Sequence, residues 1–226
     1  MPKVSIVVPI YQMSNAIPLL ERNLKSVYIQ SFDDYEIVIS DDSKTDELEE
    51  WIKRLDLPIR YFRNLRPAGM ANNTNNAIDQ SMGELVKILF QDDYFYDSRC
   101  LERIVKHFTP QCWWLATGCT HTLNGFATFN PHKPYYSESE NTIGSPSVIT
   151  FRREVKERFD PNFKWVLDLD WYRRLYRAHG KPKIFDQINV VIGIGDHQET
   201  HKLTDERKIY EHNLLKIKYE AENALR

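Results

Sequence analysis

Two adjacent acids, Asp92 and Asp93, close the apolar run of KILFQDDYFY (87–96) and stand among aromatic residues. Carboxylates paired in this way can hold a hard divalent cation, whose remaining positions go to water and phosphate oxygens. The same pair also suits a solvated turn or a helix cap, where aspartate is common. A second acidic group, SDDSKTD (40–46), carries Asp41 and Asp42 and also ends an apolar run. Alone it fits a strand-to-helix turn capped by Ser43 or Thr45. A third, DLDWYRRL (168–175), has helical spacing: Asp168 shares a face with Trp171, Tyr172 and Leu175, and Asp170 with Arg173 and Arg174. Asp170 therefore reads as a surface ion-pair partner. Asp168 is a carboxylate on an inward face at a helix start, where burial raises its pKa and the helix dipole lowers it; its alternative role is an N-cap. His197 and His201 lie four apart in GIGDHQETHKLT, but Gly193 and Gly195 and the polar run argue for a loop.

These acids need elements to position them. KVSIVVPIY is a nearly continuous β-branched run, as expected of a strand buried on both faces, and YEIVIS, IRYF and LVKILF repeat the signal. Between them come Ile17, Leu20, Leu24 and Val27 at helical spacing, then the amphipathic DELEEWIKRL, then a polar helix from about Ala71 to Gln80. Alternation of strand and helix predicts a parallel, doubly wound α/β sheet over the first half. Ligands of such sheets gather beyond the carboxyl ends of the strands, and PIYQ, SDDSKTD and QDD should share that edge. In the second half CWWLATG and SPSVITF read as strands, DLDWYRRLYRAHG as a helix ended by Gly180, and Thr204 as the cap of a final amphipathic helix. The expected organisation is one domain over 1–203, with a regular half to about 110 and a less regular half after it, followed by the helix 204–226.

The 226 residues are 42% hydrophobic and 27% charged, which suits an ordinary globular chain. A formal net charge of -2, with acids and bases interspersed, provides no basic stripe for a nucleic-acid polymer. Cys100, Cys112 and Cys119 are odd in number and lack metal-type spacing, so they read as intracellular thiols. No signal peptide or membrane span is evident, and the expectation is a soluble cytoplasmic protein whose last helix packs against its own domain, with contact to a membrane surface as the alternative.

The ordered set VSIVVPIYQ, IVISDDSKTD, GMANNTNNAIDQSMGELVKILFQDD, SPSVITFRRE and DLDWYRRL, running from Val4 to about Gly180, resembles the family 2 glycosyltransferases of the GT-A fold, which use nucleotide-diphosphate sugars. The resemblance implies that 1–203 is one GT-A domain with a nucleotide-binding half to about 110 and an acceptor-side half over about 111–203, and that Pro9, Ile10 and Tyr11 line the nucleotide pocket. It further implies that Asp41, with Asp42 beside it, meets the base, that Asn75 is retained from a nucleotide-contacting motif, that Asp92 contacts the ribose and that Asp93 coordinates Mn2+ or Mg2+. Asp168 takes the place of the family's catalytic base. Three departures stand out: Phe90 where a third acid often precedes the pair, Thr74 where an arginine is common, and Leu167 where glutamate usually precedes the base. Arg66 and His197 are then candidates for the diphosphate, His197 also for the metal.

The activity so implied is inverting transfer of a sugar from a nucleotide-diphosphate donor, UDP foremost, to a hydroxyl of a glycan or lipid-linked glycan. A sugar nucleotidyltransferase would use the same sheet type, but VVPIYQMSNAIP lacks the glycine and arginine of its phosphate loop. A catalytically silent nucleotide-sugar or carbohydrate-binding module is the remaining alternative, suggested by Phe90 and Thr74. Trp113 and Trp114 read as core, and Trp165 as either core or a stacking platform beside Asp168.

Overall fold

The computed structural model describes residues 1–13, 15–123, 131–196 and 198–224. The expected alternation is present: β1 (Val4–Ile10), α1 (Ala16–Tyr28), β2 (Tyr35–Asp41), α2 (Glu47–Lys53), β3 (Ile59–Arg63), α3 (Met70–Asp79) and β4 (Leu85–Ile88). Strands β1, β2, β3 and β4 run parallel to one another, with Ile10 opposite Asp41 and Val7 opposite Ile88. Their carboxyl ends therefore lie along one edge, and the backbone joins them there, since Asp42 N–H donates to the Ile10 carbonyl at 2.9 Å. The β-branched runs are buried on both faces, which leaves no alternation along β1.

The second half continues the sheet with mixed direction. Next come β5 (Tyr94–Phe95), α4 (Cys100–His107), β6 (Trp114–Leu123), a 3-10 turn at Pro146–Val148, β7 (Ile149–Arg152), α5 (Leu167–His179), β8 (Lys183–Ile194), α6 (Glu199–Lys202) and α7 (Asp205–Ala224). The strand order is β3-β2-β1-β4-β7-β6-β8-β5, with β7 antiparallel to both neighbours and β8 parallel to β6. Strand β8 and helix α4 escape the sequence reading. The first half of β8, KIFDQI, is largely exposed and carries Asp186 and Gln187 in place of a continuous apolar run. Gly193 belongs to this strand, so the loop expected from Gly193 onward begins only after Ile194.

Helix α7 starts where expected, with Thr204 Oγ1 accepting from the Arg207 N–H at 3.3 Å. It buries Glu211, Leu215 and Tyr219, spaced by four, against the domain. Trp114 is core, its Nε1 donating to the Gly180 carbonyl at 2.9 Å, and Trp113 is 40% exposed and stacks on His179. The three cysteines are buried free thiols. No helix among the described residues is long and apolar enough to cross a membrane.

Candidate active site

The QDD turn follows β4 and is held from three directions. Its backbone carbonyls are engaged by α1: Asn23 Nδ2 donates to Phe90 O and Asp93 O, both at 2.8 Å, and Arg22 Nη2 donates to Asp92 O at 2.7 Å. Gln91 is buried and accepts the Tyr11 N–H at 3.0 Å while donating to Ala16 O at 3.1 Å, so it ties this turn to the loop after β1. From the far side Gly193 N–H donates to Asp93 Oδ1 at 2.9 Å, and Ser145 Oγ donates to Oδ2 at 3.4 Å. Gly193 is needed for closeness, because a Cβ there would sit 2.4 Å from the Asp92 carbonyl oxygen.

Asp93 is 2% exposed. Burial raises its pKa well above the usual carboxylate range and the Asp92 charge pushes the same way, while hydrogen bonds from Ser147 and Gly193 oppose them. A buried acid with an acidic neighbour is a donor set suited to a hard cation, which would relieve both penalties and draw further ligands from water and phosphate. Asp93, Asp92 and the Ser145 hydroxyl are oxygens of this region that could contribute to such a site. Among the described residues no group of three or more His, Cys, Asp or Glu side chains gathers as a metal cage, and His197 lies outside the described residues.

Asp168 is in the first turn of α5 and part-buried, and burial pushes its pKa up to about 7. Burial is the cause that sets the direction of this shift. Asp168 is not an N-cap: that position is Val166, which offers no side-chain cap. Among the described residues its carboxylate meets a single long contact, 3.5 Å from Asn141 Nδ2. The turn that carries Asn141 also carries Ser145, with Gly144 N–H donating back to Asn141 Oδ1 at 3.0 Å and Tyr172 OH donating to Gly144 O at 2.9 Å. One short segment, 141–147, thus touches both Asp168 and Asp93.

Several residues expected to meet the nucleotide are engaged elsewhere. Ile10 is 0% exposed and Pro9 is buried, because the two-sided burial of β1 runs to its last residue; only Tyr11 remains partly open, with the Lys202 ammonium 5.6 Å from its ring centre. Asp41 is also 0% exposed, its carboxylate accepting from Tyr61 OH at 2.6 Å, Arg63 Nη1 at 3.0 Å and Ser43 N–H at 2.8 Å. Asp42 accepts from Asn64 Nδ2 and Gly69 N–H, both at 2.7 Å, and so shapes the loop before α3. Asn75 is buried and bonds Phe159 in both directions, donating to its carbonyl and accepting its N–H at 2.8 Å each. Arg66 pairs with Asp79 at 2.5 Å, which Arg158 also engages at 2.7 Å. Asp170 is fully buried instead of superficial, and binds Arg174 at 2.7 Å and Lys218 at 2.8 Å.

Residues 5–175 match the family described as glycosyl transferase family 2. The chain belongs to that family. Among curated family relatives, a GalNAc(5)-diNAcBac-PP-undecaprenol β-1,3-glucosyltransferase of Campylobacter jejuni is 40% identical over 97 residues, 41% of this chain and 30% of that protein. The putative colanic acid biosynthesis glycosyl transferase WcaA of Escherichia coli is 26% identical over 207 residues, 85% of this chain and 73% of that protein. Of solved structures, S. aureus TarS 1-349 in complex with UDP-GlcNAc aligns with TM-score 0.73 at 20% identity, covering 95% of this chain and 66% of that one. The mannosyltransferase PcManGT from Pyrobaculum calidifontis, in complex with GDP-Man and Mn2+, aligns with TM-score 0.65 at 18% identity over 87% of this chain and 58% of that one. The fold is that of the GT-A glycosyltransferases, a curled mixed sheet built around parallel strands. The chain spans under a third of the Campylobacter relative's length and about two thirds of the TarS fragment.

Proposed function

We propose that this chain transfers a sugar from a nucleotide-diphosphate donor, UDP foremost, to a hydroxyl of a glycan or lipid-linked glycan, with inversion and with the help of a divalent metal. The observation that carries the reading is the 141–147 turn touching two unlike carboxylates, the buried Asp93 and Asp168, whose pKa burial raises to about 7. The donor class is supported by the similar solved structures, which hold UDP-GlcNAc in one case and GDP-Man in the other.

In this scheme Asp168 receives the proton of the acceptor hydroxyl. A pKa of about 7 suits that work, since the carboxylate is available at neutral pH yet basic enough to accept a proton as the new bond forms. The acceptor oxygen attacks the anomeric carbon, the bond from that carbon to the diphosphate oxygen breaks, and the nucleoside diphosphate departs with the electron pair. Asp93 and Asp92 would hold Mn2+ or Mg2+, which when bound supplies positive charge for the diphosphate. The pinning of three carbonyls by Arg22 and Asn23 fixes the turn before any ligand arrives, so ligand binding costs little ordering there. Tyr11 and Asp92, on the segments that follow β1 and β4, are the residues assigned here to the nucleoside, and Ile10 and Asp41 are enclosed.

Titration calorimetry with UDP, GDP and dTDP, each with and without Mn2+, tests the reading. Binding of one nucleotide that strengthens with Mn2+ and loses that gain in Asp93→Ala is the expected result. Failure of all three to bind contradicts it.

A further inference from the structure

Helix α5 lacks a local cap. Its first turn leaves backbone N–H groups without intrahelical acceptors, and Val166 at the N-cap has no side-chain oxygen to supply. The segment leading into the helix is held instead from α7, which follows in the chain after β8 and α6. Glu211, 0% exposed, places Oε2 within 2.9 Å of Lys164 N, 2.6 Å of Trp165 N and 3.3 Å of Val166 N. Its other oxygen accepts from Arg207 Nε at 2.7 Å. Burial raises the pKa of Glu211, but these four donors outweigh it and hold the group below the usual carboxylate range.

Two turns further along, the same face of α7 grips α5 on the other side of Asp168. Lys218 Nζ lies 2.8 Å from Asp170 Oδ1, and Tyr219 OH lies 3.1 Å from both Asp170 O and Oδ1. The Arg173 and Arg177 guanidinium groups lie 3.9 and 4.3 Å from the centre of the Tyr219 ring. Residues 164–166 and residue 170 are thus fixed by α7, while the Asp168 carboxylate between them stays clear of these bonds.

We propose that α7 is a positioning element for catalysis, with Glu211 and the Lys218–Tyr219 pair setting the place of Asp168 from both sides. The inference rests on Asp168 being the base. It makes a helix that the sequence reading treats as an appendage part of the transferase unit. Glu211 is a positioning residue: it acts on backbone amides, two to four residues ahead of the base.

Three variants test this in the full chain. Glu211→Ala removes the acceptor, Glu211→Gln keeps one carbonyl oxygen for the amides, and Tyr219→Phe weakens only the second grip. Hydrolysis of UDP-GlcNAc, UDP-glucose and GDP-mannose gives kcat, calorimetry with UDP and Mn2+ gives nucleotide affinity, and amide hydrogen exchange reports on 164–170 and 85–93. Misplacement of the base by about 1 Å predicts a kcat lower by roughly ten- to a hundred-fold in Glu211→Ala, with UDP affinity kept within about twofold. Glu211→Gln should recover most of that loss, and exchange should quicken at 164–170 but not at 85–93. Tyr219→Phe should show the same pattern more weakly. Unchanged exchange at 164–170, or kcat and UDP affinity falling together, overturns the proposal. If Asp168→Asn keeps full activity, the base assignment fails, and the exchange result still decides whether Glu211 fixes this segment.

Discussion

A carboxylate tuned to accept a proton should cost the fold stability, and Asp168→Asn measures that cost. Burial lifts Asp168 from the usual 3.8 to about 7, so at pH 8 the folded chain carries an ionised group that it disfavours by roughly 4 kcal/mol relative to the unfolded chain. Water still reaches this part-buried carboxylate and screens some of the penalty, leaving an expected gain of about 1–2 kcal/mol for the neutral isostere. That corresponds to a rise in Tm of roughly 2–8 °C for a chain of this size. The sign with pH follows from proton uptake. Between about 3.8 and 7 the folded state binds more protons than the unfolded state, so wild-type stability falls as pH rises through that window and levels off above it. The advantage of Asp168→Asn should therefore be largest at pH 8 and fall to about one third at pH 5. Calorimetric melting at the two pH values, with hydrolysis assayed in parallel, is the test. The variant should be more stable and at least about a hundred-fold slower. A variant that melts at or below the wild-type temperature at pH 8, or whose advantage does not shrink at pH 5, refutes the reasoning.

Asn75→Ala should act on the fold and leave the nucleotide alone: losing both bonds to the Phe159 backbone strands two buried groups and should cost about 2–4 kcal/mol with UDP affinity unchanged, read by melting and calorimetry. Lower affinity with an unchanged Tm would return Asn75 to the nucleotide. Gly193→Ala forces a Cβ against the Asp92 carbonyl and displaces the Asp93 hydrogen bond, so Mn2+ affinity in titration should fall by roughly tenfold or more. Lys87 is fully buried, donates to the Ser147 carbonyl, and is pushed down by burial from 10.5 to about 7. Its folded state gives up the proton at lower pH than the unfolded state, so wild-type stability should rise from pH 7 towards 10, a rise that Lys87→Met should lack. Equal slopes in thermal melts would contradict that assignment.

What the sequence discloses here follows the range of the interactions involved. The parallel half was legible because β1, β2 and β4 are continuous apolar runs between amphipathic helices, and their shared edge follows from parallel pairing alone. Asp92, Asp93 and Asp168 stood out because each acid sits beside the end of an element, a local property. Enclosure was not legible. Asp41 looks like an exposed turn acid until Tyr61 and Arg63, twenty or more residues later, close over it from β3. Asn75 is claimed by Phe159, 84 residues on, and Asp170 by Lys218, 48 residues on. Strand β8 was missed because its exposed half has no apolar run, and with it went Gly193, the partner of Asp93. Phe90, standing where a third acid is common, keeps its backbone in the site: its N–H donates to Ser147 Oγ at 2.9 Å and its carbonyl accepts from Asn23.

The central claim, that Asp168 deprotonates an acceptor while Asp93 holds the metal that serves the diphosphate, meets its most direct test in transfer itself. The wild-type chain, Asp168→Asn and Asp93→Ala would each be incubated with Mn2+ and a panel of UDP-, GDP- and dTDP-sugars in the presence of lipid-linked and free glycan acceptors. Products would be read by mass spectrometry and their anomeric configuration by NMR. The account predicts one donor transferred with inversion by the wild type, and loss of product in both variants while Asp168→Asn still binds the nucleotide. Full transfer by Asp168→Asn, or a product of retained configuration, would contradict it.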